Sequence, residues 1–221
     1  IHRGAGRFVD AHTVEVTGKD GSLQITGDYV LIATGSYPFH PPGIPFDGDA
    51  IYDSDSILNL KSIPKSIVIV GAGVIGCEYA TIFAAMGAKV ILVNSHGGIL
   101  PWLDREVADA LVKYMGLEGI HFVTDVRLEQ VTVHENAQKI VKAHLNNGEQ
   151  IEAEVFLYAA GRCGNVKNLN LAAVNIGVDN RENIPVDSTY RTCVPNIYAA
   201  GDVIGFPSLA STSMACMILS V

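Results

Sequence analysis

The chain has 221 residues, 48% of them hydrophobic and 17% charged, with a net charge of −8 at pH 7. That balance supports a buried core and excludes a disordered chain, and its acidity argues against a nucleic-acid footprint or an anionic membrane partner. No apolar run approaches the ~18 residues of a membrane span, and no leader-type segment opens the chain, so a cytoplasmic protein is expected.

Gly6 to Val9 and Thr13 to Val16 are predicted strands; Asp20-Gly21 is a hairpin signal and Leu23 to Thr26 the return strand. Tyr29 to Ile32 is a more apolar strand and ends in Ala33-Thr34-Gly35-Ser36. Tyr37 to Ala50, with four prolines and two glycines, reads as a connector. Asp53-Ser54-Asp55-Ser56 then resembles a helix N-cap ahead of Ile57 to Leu60.

Ser66 to Val70 is almost wholly apolar, as expected of a strand buried on both faces of a parallel sheet. Gly71-Ala72-Gly73-Val74-Ile75-Gly76 follows at once. From Val74 the period becomes helical, with Ile75, Tyr79, Ile82, Phe83 and Met86 on one face and Gly87 as the stop. Lys89 to Val93 is the next strand. Strand, glycine turn, helix and strand in one unit of about 30 residues is the context a dinucleotide fingerprint requires. Gly71 permits the tight turn, Gly73 lets a pyrophosphate approach the backbone, and Gly76 lets helix and strand pack closely. The helix N-terminus supplies free N–H groups and a favourable dipole to an anion.

Beyond Asn94 a loop leads to Asp104, a predicted cap for a helix with Val107, Leu111, Val112 and Met115 as its apolar positions. Ile120 to Val123 is a third parallel-type strand. An antiparallel stretch follows: Val126 to Val133, Ile140 to Leu145, the turn Asn147-Gly148, and Ile151. Val155 to Tyr158 is again a short apolar strand, ending in Ala159-Ala160-Gly161-Arg162. Near the end, Asn196 to Val203 is a strand that closes on Gly201 and Asp202, a carboxylate suited either to sugar hydroxyls or to capping a helix.

Thr13 to Gly35 and Lys139 to Gly161 resemble each other at a constant offset of 126: Ile25 falls on Ile151, Asp28 on Glu154, Leu31 on Leu157 and Gly35 on Gly161. The second copy has a glycine fingerprint upstream. A fingerprint for the first copy would fall before residue 1, so a fragment lacking its first nucleotide strand is expected. Cys77, Cys163, Cys193 and Cys216 form no close pair and read as buried free thiols, and the histidines contain no HExxH, so no metal site is expected.

Ala33-Thr34-Gly35, Gly71 to Gly76 with Glu78, Gly161-Arg162 and Tyr198 to Asp202 together resemble the two-dinucleotide flavoproteins, the pyridine nucleotide-disulfide oxidoreductases of the glutathione reductase and lipoamide dehydrogenase group. Ala5 to Asp10, Ile51 to Leu58, Gly71 to Ala80 and Gly201 to Ser211 resemble its soluble pyridine nucleotide transhydrogenase branch. The resemblance implies an α/β, Rossmann-like FAD/NAD(P)-binding fold: a central parallel sheet plus an antiparallel β-meander, with an NAD(P) domain at 63–187 inserted in a truncated FAD domain at 1–62 and 188–221. It places Gly71, Ala72, Gly73, Val74, Ile75, Gly76, Asn94 and Ser95 on NAD(P), with Gly161 and Arg162 on the nicotinamide side. Thr34, Gly35, Gly201 and Asp202 would hold FAD, and Glu78 would pair with a lysine outside this chain, beside the flavin.

The implied activity is hydride transfer between NADPH or NADH and NAD(P)+ through FAD, by a full-length homo-oligomer; the fragment alone would be inactive. A lipoamide dehydrogenase-like disulfide reductase and a non-catalytic NAD(H)-binding module are the alternatives. Asn94-Ser95-His96 is neither acidic nor strongly basic, and Gly97 and Gly98 stand where the family offers arginines, so the nucleotide preference stays open. Thr212 to Leu219 departs from the Gln-Gly-Arg helix and the dimerisation domain of the family.

Overall fold

The shortest and most apolar runs of the sequence lie side by side, separated by glycine and Asx turns. In a computed structural model, which describes residues 1–135, 139–211, 213 and 214, the chain opens with β1 (Ala5–Phe8), β2 (Thr13–Gly18), β3 (Gly21–Thr26), β4 (Val30–Ile32), β5 (Ser36–Pro38) and β6 (Ile51–Asp53). Next come β7 (Ser66–Val70), α1 (Val74–Ala85), β8 (Lys89–Val93), α2 (Arg105–Leu117) and β9 (His121–Val123). The last strands are β10 (Leu128–Glu135), β11 (Lys139–Leu145), β12 (Gln150–Ala153), β13 (Val155–Tyr158), β14 (Arg162–Gly164) and β15 (Ile197–Ala199). Cys216 and most of the divergent tail lie outside the described residues.

Contacts divide the chain into two units, Ile1–Tyr37 with Arg162–Val221, and Pro38–Gly161. These divisions differ from the expected 62/63 and 187/188, and packing explains why. β6 pairs in parallel with β13, Ile51 beside Phe156 and Asp53 beside Tyr158, which ties 38–62 to the second unit. Val166, Leu171, Val174, Ile176 and Ile184 share a buried cluster with Phe8, Ile32, Ile197 and Val203, which ties 162–187 to the first.

The second unit is built on a five-stranded parallel sheet of order β6-β13-β7-β8-β9. The unbroken apolar run of β7 follows from coverage of both faces. Ile67 and Ile69 pack among Ala80, Phe83 and Met115 of the two helices. Val68 and Val70 pack against Val131, Val141, Leu145 and Ile151 of the antiparallel sheet β10-β11-β12. Each such fully buried side chain contributes about 1.5–3 kcal/mol relative to exposure.

α1 turns its small residues inward. Gly76, Cys77, Ala80 and Phe83 are buried, whereas Ile82 and Met86, expected on the inner face, are 50% and 43% exposed. Glycine and alanine let helix and sheet approach closely, Phe83 fills the core with Ile75 and Tyr79 packed against it, and Ile82 and Met86 are left toward solvent. α2 starts as expected: the Asp104 carboxylate accepts the Glu106 N–H at 2.9 Å, and Met115 is wholly buried while Val107 is exposed.

Residues 56–59 form a single 3-10 turn, one residue ahead of the expected Ile57 to Leu60. Asp53 Oδ1 accepts the N–H groups of Asp55 and Ser56 at 2.9 and 2.7 Å, and Asp53 N–H donates to Ser56 Oγ at 2.9 Å. Within the expected run Asp53 to Ser56, the capping carboxylate is therefore that of Asp53, the last residue of β6, while Asp55 holds the N-cap position without a capping side-chain bond.

In the first unit, β1, β2 and β3 form an antiparallel sheet, and β4 pairs in parallel with β15, Ile32 beside Ala199. Both copies of the internal repeat are thus an antiparallel meander followed by a strand that pairs in parallel. Their hairpins are not superposable by the constant offset. Val16 faces Leu23, but Lys142, its counterpart, faces Glu152, three residues beyond the counterpart of Leu23.

Candidate nucleotide site

The order of the parallel sheet reverses at β7: the chain steps outward through β8 to β9, and β13 returns on the other side. In such sheets ligands bind beyond the carboxyl ends of the strands at this reversal. The glycine turn stands there. Gly71 N–H donates to Val93 O at 2.8 Å, which ties the turn to the end of β8. A Cβ on Gly71 (φ 107°) would lie 2.7 Å from Ala159 O and from Ala160 Cα, at the end of β13. One on Gly76 would lie 1.8 Å from Gly71 O. Neither position has room for a side chain.

Gly73 is different. It is the N-cap of α1, with φ −78° and ψ −175°, and a Cβ built there meets nothing within 4 Å. Having no side chain, it offers no cap of its own to the first-turn N–H groups of Val74, Ile75 and Gly76, which have no acceptor inside the helix. No acidic residue sits in that first turn. Open space in front of uncapped N–H groups is a cradle that suits a phosphate.

The flanking residues fill other roles. Asn94, at the end of β8, accepts Ala72 N–H at 3.4 Å through Oδ1 and donates through Nδ2 to His96 O at 3.0 Å and Gly98 O at 2.7 Å. Its amide braces the turn against the loop. Ser95 is exposed and its Oγ lies 3.0 Å from His96 Nδ1. Glu78 is exposed on α1. Tyr79, next to it, donates from its hydroxyl to Ser54 O at 3.0 Å. Burial pushes the Cys77 thiol up to about 11, helped by the charge of Glu78, so it stays a protonated core residue.

In the first unit the parallel pairing of β4 with β15 brings Thr34-Gly35 and Gly201-Asp202 to the same carboxyl edge. Thr34 O and Gly35 O accept Asn165 Nδ2–H and N–H at 3.3 and 2.9 Å. Ser36 Oγ donates to Asp202 Oδ2 at 3.0 Å, and Arg162 Nε donates to Ser36 Oγ at 2.8 Å. Arg162 Nη2 also holds Ser36 O at 3.0 Å. Arg162 falls in the first unit, where its contact with Ser36 links it to Asp202. Gly161 belongs to the second, its carbonyl accepting Phe39 N–H at 3.0 Å.

Sequence reading missed the pair His40 and Asp53. His40 Nε2 lies 2.6 Å from Asp53 Oδ2, and its ring stacks on Phe46 at 4.0 Å. Burial works to raise the Asp53 pKa, but the Ser56 N–H, His40 and the remaining hydrogen bonds outweigh it and hold the carboxyl below its ordinary value. Asp53 ends β6 at the carboxyl edge of the sheet, and the signal that could have found it was its place after a short apolar Ile-Tyr. Of the cysteines read as buried, Cys77 and Cys163 are, but Cys193 is exposed.

Residues 1–216 match the family described as pyridine nucleotide-disulphide oxidoreductase. The chain belongs to that family. Among curated relatives it is 46% identical over 211 residues to the soluble pyridine nucleotide transhydrogenase of Vibrio vulnificus, covering 95% of this chain and 45% of that protein. It is 44% identical over 214 residues to the protein of the same name from Erwinia tasmaniensis, covering 96% and 45%. Among solved structures it is similar to the HOCl-induced flavoprotein disulfide reductase RclA of Escherichia coli, in a Cu(II) complex, with TM-score 0.88, 30% identity, and 98% and 48% of the two chains covered. LpdA of Mycobacterium tuberculosis gives TM-score 0.88 at 29% identity, with the same shares covered. The chain therefore spans about half the length of these relatives, and the family's Rossmann-like α/β fold is the one described above. Among the described residues no helix is long and apolar enough to cross a membrane.

Proposed function

We propose that this chain carries the pyridine-nucleotide site and part of the flavin site of an FAD-dependent oxidoreductase, one that moves hydride between NADPH or NADH and NAD(P)+. The carrying observation is the open position at Gly73, in front of the uncapped start of α1, at the reversal of a parallel sheet. In this reading Gly71, Gly73, Val74, Ile75 and Gly76 hold the pyrophosphate, and Ala72 and Asn94 keep the turn in shape. Thr34, Gly35 and Gly201 flank the flavin. Asp202, with acceptor capacity beyond the hydroxyl it takes from Ser36, suits a ribityl hydroxyl. Arg162, through Ser36, orients that carboxylate rather than touching nicotinamide. Glu78 keeps its place beside the flavin on resemblance alone. When bound, the flavin supplies the two-electron acceptor and donor, while the protein contributes orientation and electrostatics.

A cytoplasmic, homo-oligomeric full-length protein belongs to the same reading, on the strength of relatives named soluble transhydrogenases. A flavoprotein disulfide reductase is the second reading, favoured by the name of a similar solved structure. Titration of the 221-residue chain with NADH, followed by nicotinamide fluorescence, tests the nucleotide site, and an unchanged emission would remove it. The full-length protein, purified with its flavin, is then assayed for NADPH-to-NAD+ hydride transfer and for disulfide reduction. Activity only on disulfides would select the second reading.

A further inference from the structure

We propose that Asp125 makes the nucleotide site discriminate against a 2′-phosphate, so that it takes NAD(H) in preference to NADP(H). The inference rests on the nucleotide site proposed above and assigns its selectivity. In this fold the residue ending the second strand meets the adenosine ribose: an acidic residue there accepts the 2′-hydroxyl, and a nearby arginine accepts the 2′-phosphate. Here that residue is Asn94, and both hydrogens of its amide are turned back into the loop, onto His96 O at 3.0 Å and Gly98 O at 2.7 Å. From Asn94 to Leu103 the sequence holds no lysine or arginine, so the segment brings no fixed positive charge to a phosphate.

A carboxylate arrives from the neighbouring strand instead. Asp125 follows β9, which lies beside β8 in the sheet. Its Oδ2 and Oδ1 lie 3.0 and 3.2 Å from the place a Cβ on Gly97 would occupy. A side chain on Gly97 would crowd the carboxylate where it now stands. The residue stands at φ 58°, a left-handed conformation that aspartate and asparagine tolerate better than most residues. His96, whose Nδ1 lies 3.0 Å from Ser95 Oγ, sits on the same loop, Asp104 and Arg105 follow it in the chain, and the exposed Arg127 comes two residues after Asp125. A neutral 2′-hydroxyl can donate to this carboxylate, whereas a 2′-phosphate meets a like charge.

The experiment titrates the full chain with NADH and, separately, NADPH at low ionic strength, beside the Asp125→Asn variant. Asparagine keeps the left-handed backbone and removes the charge. NADH should bind about tenfold more tightly than NADPH, and the variant should tighten NADPH about threefold to tenfold while weakening NADH about twofold to fivefold, because its 2′-hydroxyl loses a charged acceptor. Roughly 0.5 M salt should erase most of the difference between the two chains for NADPH. Equal affinities in the unaltered chain, or NADPH binding indifferent to Asp125→Asn, would overturn the inference and leave the nucleotide site standing. Failure of both nucleotides to bind would take the site and the inference down together.

Discussion

Three glycines in one hexapeptide separate stability from binding. At Gly76 an added methyl would sit 1.8 Å from Gly71 O, so Gly76→Ala must push α1 off the turn. A loss of about 1–3 kcal/mol in urea unfolding is expected, in the range of overpacked cores. At Gly73 the same probe meets open space, and the backbone at φ −78° suits any residue. Gly73→Val should therefore cost about 1 kcal/mol or less in stability, the difference between two N-cap residues. Its NADH fluorescence response should nonetheless disappear, because the branched side chain occupies the phosphate's approach. A variant that unfolds like Gly76→Ala, or binds NADH like the unaltered chain, would contradict the assignment. The turn was legible in the sequence because its requirements are local: three missing side chains at fixed spacing. Asp125 was not legible, since only the adjacency of β8 and β9 brings its carboxylate beside Gly97.

At the level of elements, the runs that were read well are those whose pattern outweighs their neighbours. β7, β8, β13 and the cap at Asp104 follow from continuous apolarity and an acidic N-cap. β5 and β6, three residues each, carry too few residues for a period: β5 runs into the proline-rich connector, and Asp53 of β6 reads as the start of a helix cap. β6 depends instead on the turn before it. Asp47 Oδ1 accepts the N–H groups of Asp49, Ala50 and Ile51, each at 2.9 Å, and Lys139 Nζ lies 3.3 Å from Oδ2. Burial works to raise the Asp47 pKa, but these backbone donors and Lys139 outweigh it and bring it to about 2. A folded value below the unfolded ~3.9 stabilises the fold above that pH and ceases to do so as pH falls through about 2. Asp47→Asn should accordingly lose about 1 kcal/mol at pH 7, after screening at a partly exposed site. The gap between the two proteins in urea midpoints should close between about pH 4 and pH 2. A gap that stays constant with pH would assign the effect to shape rather than charge.

For the whole molecule, the repeated meander-then-strand pattern was visible in the sequence, but the places where the chain divides were not. The proline-rich run from Tyr37 coincides with 37/38 but reads as a connector within a domain, and no shift marks 161/162; the sharing of Val166 to Ile184 with β4 and β15, and of β6 with β13, sets those places. The nucleotide reading puts every pyrophosphate contact on 38–161, and this has a thermodynamic consequence. A ligand that binds only the folded form stabilises it by RT ln(1 + [L]/Kd), about 2.7 kcal/mol at about 100 Kd. That stabilisation reaches an amide only if its exchange-competent opening also destroys the site. Under NADH at that excess, amides of Ile67 to Val70, Val74 to Cys77 and Val90 to Val93 should exchange up to about 100-fold more slowly. Those of Gly6 to Phe8 and Val14 to Val16, in the first unit, should keep their rates wherever that unit opens independently. Uniform slowing across both sets would show that the chain opens as one cooperative body. Slowing confined to the first unit would move the nucleotide away from the glycine turn, to the edge where Thr34 and Asp202 stand.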